Sequence, residues 1–213
     1  MTASTALGTM ASRLALIALL ATTAACAGQH TTRTGFLGPA GRQTADTSED
    51  FSFVAPAQRW VGYTAVIIDR PTFVPGGEVP VPPSAEDVAA LTRHYGQALE
   101  DAFGARFRRT LTAGPGVLRV RAAVTGYTLA DIVTNIIATP LIGPVSNGGA
   151  ASEAEVVDSV TGERLAALAT HTNGFLLREG PIPFYVRRGH AEWALTDHAR
   201  RLVESLPTAQ VTR

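Results

Sequence analysis

Lysine is missing altogether from this 213-residue sequence: all 18 basic residues are arginine, and 18 acids balance them to a formal net charge of zero. Its absence excludes Schiff-base chemistry, a P-loop lysine and a Ser-Lys nucleophile pair. With so much alanine present, it reflects a GC-rich genome rather than selection at a site. Cysteine is nearly as scarce. Cys26 is the single one, so there is no intramolecular disulfide and no zinc site built on several thiolates. No basic excess is available for a phosphate backbone at a pI of about 7.0, so no nucleic-acid partner is expected. Phosphate loops of the G-x-G-x-x-G or Walker type do not occur, and the G-x-S-x-G elbow fails at Ser146, where Pro144 replaces the first glycine. None of the five histidines falls into H-E-x-x-H. His190-Ala191-Glu192 has the H-x-E spacing of zinc deaminases but lacks their P-C-x-x-C partner. No catalytic residue, metal or cofactor is therefore assigned from motifs.

What is present is 46% hydrophobic and 17% charged, the composition of a folded domain. The N-terminus reads as an address. Arg13 precedes the apolar run Leu14–Ala21, and Thr22-Thr23-Ala24-Ala25 leads into Cys26. From Leu14 to Ala25 is 12 residues, short of the roughly 20 that span a bilayer, so residues 1–25 are expected to be a signal peptide. Either Met1 or Met10 can start it, and Met10 sets Arg13 close to the N-terminus. Thr23-Ala24-Ala25-Cys26 resembles a bacterial lipobox, although Thr23 stands where leucine is usual. That resemblance implies cleavage after Ala25 and acylation of Cys26 by palmitate-type chains. Ala27, in place of aspartate, implies the outer membrane. The plainer alternative is an ordinary signal that leaves a free thiol. The mature chain, having lost Arg13, carries 17 arginines against 18 acids, so attachment would fall to the acyl chains.

Residues 26–57, rich in Gly, Thr, Gln and Ser, read as a lipidated N-terminus and flexible tether, with Phe36-Leu37 and Phe51–Val54 as apolar islands that dock on the domain. A single α/β domain is expected over 58–207 and a tail over 208–213. Trp60–Asp69 has the β-branched and aromatic content of a strand. Ser84, with Asp87 three residues on, signals a helix start, and Val88, Leu91, Tyr95, Leu99 and Phe103 carry the apolar stripe of a helix over 85–103. Residues 117–127 form a strand with Leu118, Val120, Ala122 and Val124 on one face, and Arg119, Arg121, Thr125 and Tyr127 on the other. The apolar insert 129–149 is either a buried crossover or an exposed loop. Ala154–Val160 and Glu163–Thr170 form a hairpin about Gly162. On it, Glu153 and Glu155 are positioned to oppose Arg119 and Arg121 across an exposed face. A helix from His190 to Leu206 closes the domain. The fold class is α+β: a two-layer sandwich with a mostly antiparallel sheet of about four strands and two helices on one face.

Three constellations are candidate sites. His190 and Asp197, seven residues apart with His198 adjacent, can share a helix face as a ligand or acid–base site, or else be solvated or cap the helix end. Arg106, Arg108 and Arg109 complement a helix C-terminus or hold an anionic lipid or polysaccharide. Trp193 is a core or interface residue, or a ligand platform.

The lipobox cysteine, Thr34-Gly35-Phe36-Leu37, the hairpin Val157-Asp158-Ser159-Val160-Thr161-Gly162-Glu163-Arg164-Leu165 and Trp193-Ala194 together resemble a bacterial lipoprotein family, domain-of-unknown-function family 3313. The resemblance implies an outer-membrane, periplasm-facing lipoprotein of uncharacterised role and supplies no catalytic residues. The element order is also similar to the α/β domain of curli-type secretion lipoproteins, which assemble into rings. The expectation is a non-enzymatic, lipid-anchored envelope protein that meets the membrane through its anchor and binds envelope partners or copies of itself. The alternative is a periplasmic small-ligand binder or enzyme using His190 and Asp197.

Overall fold

Ser84 starts the first helix as its sequence suggests. Its hydroxyl accepts from the Asp87 amide at 3.0 Å and donates to the Asp87 carboxylate at 2.7 Å, satisfying an amide the helix leaves open. The helix it caps, α1, spans Ala85–Gly104, and α2 spans Gly189–Ser205. The computed structural model describes residues 33–38, 50–76, 83–131, 148–174 and 186–207. The expected signal peptide with Ala25 and Cys26, most of the expected apolar insert (132–147) and the tail 208–213 lie outside the described residues.

The strands are β1 (Phe51–Val54), β2 (Ala65–Ile68), β3 (Thr72–Phe73), β4 (Arg108–Arg109), β5 (Val117–Thr128), β6 (Gly149–Asp158) and β7 (Arg164–Asn173). Among the described residues they form one seven-stranded sheet in the order β1-β7-β6-β5-β2-β4, with β3 also paired to β5. The class is α+β as expected, but the sheet is larger and more mixed than about four antiparallel strands. β1, β7, β6 and β5 pair antiparallel, whereas β2 and β3 run parallel to β5, and β4 parallel to β2. The added strands β1, β3 and β4 hold two to four residues each, too few for a period-2 pattern to stand out.

Both helices pack on one face of this sheet, here called the front. Leu91, Tyr95, Leu99 and Phe103 of α1 and Ala191, Leu195, Ala199 and Leu202 of α2 share a core with Val66, Leu118, Val120, Val124, Ala154 and Val156. Among the described residues no helix is long and apolar enough to cross a membrane.

Four expectations need correction. Trp60 does not begin a strand: Ala57–Trp60 is a 3-10 turn, where the buried indole donates to the Ala55 carbonyl at 3.0 Å, and the strand begins only at Ala65. The span 26–57 is not all tether: Leu37 is buried, and Phe51–Val54 pairs with Ala166–Ala169 as β1. The two apolar islands dock, and they extend the domain below residue 58. Tyr127 leaves the arginine face. The pairing skips from Val124↔Ser152 to Gly126↔Ala151, so Thr125 is an extra residue and Tyr127 packs on the front core beside Phe73. Finally, the arginine face is not simply exposed, because residues 33–38 lie on it.

Candidate functional site

The closing helix gathers the expected histidines and aspartate, but spends them on packing. His198 is 0% exposed and Ser152 2%. The Nδ1 of His198 lies 2.9 Å from the Ser152 hydroxyl, and its Nε2 lies 3.1 Å from that of Thr172. Ser152 in turn meets the Tyr95 hydroxyl at 3.2 Å. Each of these polar groups gains a partner away from water, which is the condition for burying it. Burial, reinforced by the nearby Arg201 cation, pushes His198 down to about 3, so the ring is neutral at pH 7. Burial also pushes the Tyr95 phenol up to about 12. A Ser-His contact of this length is the geometry of an activated nucleophile, but here both members are sealed beneath the helices and act as a polar knot tying α1, β6, β7 and α2 together.

His190, also buried, sits at the start of α2 against Gly174. A Cβ on Gly174 would fall 2.2 Å from the ring Nδ1, so only glycine fits there. Asp197 accepts from Arg200 one turn along. Neither His190 nor Asp197 lines the interhelical groove of about 360 Å³, whose walls include His94, Gln97, Asp101, Thr196 and Arg200. Among the described residues, no three His, Cys, Asp or Glu side chains group as a metal site.

The arginine cluster resolves by function. Arg106 reaches the end of the other helix, donating to the carbonyls of Val203 at 2.7 Å and Pro207 at 2.6 Å, so it caps α2. Arg109 pairs with Glu100 at 2.7 Å, and Arg108 lies exposed in β4. Trp193 packs, partly buried, against the front core.

The hairpin motif is likewise structural. Asp158 accepts from the Thr161 and Val160 amides at 2.7 and 2.9 Å, and from the Tyr63 hydroxyl at 2.7 Å. Those bonds, led by the Thr161 amide, hold its carboxyl down at about 2. Burial and the same Asp158 contact push Tyr63 up to about 12. Gly162, at φ +72°, closes the turn.

The back of the sheet holds the arrangement that sequence reasoning saw only in part. Arg121 faces Glu155 across the pairing and bridges it at 2.6 Å, and Arg164 bridges the same carboxylate at 2.8 Å. Arg119 pairs with Asp69 at 3.3 Å rather than with Glu153. Glu153 instead receives the Thr34 amide at 2.8 Å and the Thr34 hydroxyl at 3.1 Å. Leu37 packs on Ala167 and Ala169, and its carbonyl accepts from Arg164 at 2.5 Å. The Arg33 guanidinium stacks 4.5 Å over the Phe51 ring. Residues 33–38 are thus a strap over Glu153, 1% exposed, and over Arg164, which with Arg121 encloses Glu155, 2% exposed. The alternation of charge in β6 identified the two acids, but the Thr34 partner of Glu153 lies 119 residues away, and nothing local signals it.

No curated protein matches the chain's sequence. Among solved structures, the PelC dodecamer of Paraburkholderia phytofirmans is 11% identical with a TM-score of 0.42, covering 75% of this chain and 99% of that one. A DUF330-family protein of Xanthomonas campestris is 15% identical with a TM-score of 0.36, covering 71% and 88%. A hypothetical protein of Chlamydia trachomatis is 11% identical with a TM-score of 0.30, covering 66% and 92%. The family model described as protein of unknown function (DUF3313) matches residues 32–201, from the start of the strap to the last turn of α2, and the chain belongs to that family.

Proposed function

We propose that this chain is a non-enzymatic lipoprotein of the cell envelope, acylated at Cys26 after cleavage at Ala25 and held on the periplasmic side of the outer membrane. Its domain binds envelope partners or further copies of itself. One observation carries this reading: the chain's only thiol stands directly after Thr23-Ala24-Ala25, where the apolar leader ends. The use made of the polar residues supports it. Ser152 and His198 are locked in a buried knot, Arg106 caps a helix, and His190 is wedged against Gly174. The small-ligand alternative needs His190 and Asp197 to open on a cavity, and the groove between the helices is walled by other residues.

Intact mass and membrane fractionation, comparing wild type with Cys26→Ala, test the anchor. Acyl mass and membrane sedimentation in wild type, both lost in the variant, are the expected result. A soluble, unmodified wild type overturns it. Light scattering of the acylated protein in detergent then tests self-assembly, which requires an oligomer that persists on dilution.

A further inference from the structure

The strap shortens the distance between the domain and Cys26. The described chain starts at Arg33, seven residues after Cys26, and Thr34 is already pinned to Glu153 in the middle of the back face. Seven residues reach at most about 25 Å when fully extended. For the helical layer to lie on the membrane, those residues would have to pass the edge strand β1, over whose Phe51 the Arg33 side chain already stacks, and then run around the thickness of a sheet and a helix, about 20 Å. That path would use nearly the whole reach with the leash fully taut, whereas the back face requires little of it. The back of the sheet also has the charge to suit a lipid surface. Glu155 is 3% exposed while the Arg121 that pairs with it is 48% exposed. At that pair the acid lies underneath and the Arg121 guanidinium points outward, an arrangement favourable to anionic headgroups.

We infer that the back of the sheet, with its strap and outward Arg121, is the surface that lies against the lipid headgroups, and that α1 and α2 face away from the membrane. This rests on the acylation of Cys26 proposed above.

The test uses the full, acylated chain in vesicles containing phosphatidylglycerol. Acylation blocks the Cys26 sulfur, so one introduced cysteine is the only free thiol. Phe53→Cys places a fluorophore on the back: Phe53 is 41% exposed and pairs with Ala167, which lies under Leu37. Ala89→Cys places one on an exposed position of α1. Energy transfer to acceptor lipids is expected to be stronger from position 53 than from position 89. That difference is expected to be lost when about twenty Gly/Ser residues are inserted between Cys26 and Arg33, because the lengthened leash no longer restricts orientation. Equal transfer from both positions, or stronger transfer from position 89, overturns the inference while an acylated mass leaves the anchor standing. A mass without acyl groups overturns both.

Discussion

On the front of the sheet, two long helices lay aliphatic and aromatic side chains over β2, β5 and β6, and the polar groups enclosed there bond to one another. On the back, six residues of strap cover a small apolar patch at Ala167 and Ala169 and the Glu153 carboxylate, while two arginines enclose Glu155. The two sides therefore solve burial differently. The front removes a large apolar area from water, a term that scales with area and does not depend on precise direction. The back depends on a few directed, charge-assisted hydrogen bonds, each of which matters because its acceptor is buried. Damage to the front should unfold the protein, whereas damage to the back should loosen one segment and leave the rest folded.

The largest effect should come from Phe103, fully buried between α1 and the sheet. Phe103→Ala is expected to lower unfolding stability by about 3–5 kcal/mol, read as a shifted urea midpoint. A loss no greater than that of the back-face variants would break the comparison.

The front also carries an acid liability. His198 binds its proton at about 3 in the fold but at about 6.5 when unfolded. Between those values the unfolded chain holds the extra proton, so stability falls as pH drops from 6.5 toward 3 and is independent of this group above 6.5. His198→Gln should remove that slope, an effect on the order of a few kcal/mol. Asp158 acts in a lower window, its contribution fading from the usual carboxylate range toward 2, so wild type minus variant isolates the histidine. Superimposable pH profiles would refute the assignment.

On the back, Glu155→Ala strips two arginines of their shared partner. Because Arg121 can turn to water, the expected cost is about 1–3 kcal/mol in thermal unfolding. Glu153→Ala should be smaller still, about 1 kcal/mol and mostly local. Hydrogen exchange sharpens the contrast: the Thr34 and Phe36 amides, which bond to Glu153 and the Thr34 hydroxyl, should exchange faster while core amides of β6 do not change. Acceleration across the whole sheet would mean that the strap is part of the global core.

Much of the frame follows from local pattern. The Ser84 cap, the apolar stripe of α1, the alternation of β5 up to Val124 and the Gly162 turn all depend on neighbours within a few residues, and all are where the sequence puts them. Patterns fail where the determinant is not local. One extra residue at Thr125 reverses the face of Tyr127, and pairing to a distant strand is what makes β1, β3 and β4 strands at all. The candidate sites divide in the same way. Cys26 is proposed from sequence alone, because a leader is read as a linear chain. Glu155 opposite Arg121 is legible because the period of a strand puts charges on one face. That Arg106 would serve the other helix, that Ser152 would find His198, and that Thr34 would close over Glu153 was decided only when segments about 46 to 119 residues apart packed together. The sequence alone determined the helices and the hairpin, since each is encoded by adjacent residues. Tertiary structure decided which polar groups are buried and by what they are satisfied, because desolvation belongs to the assembled surface and not to any residue within it.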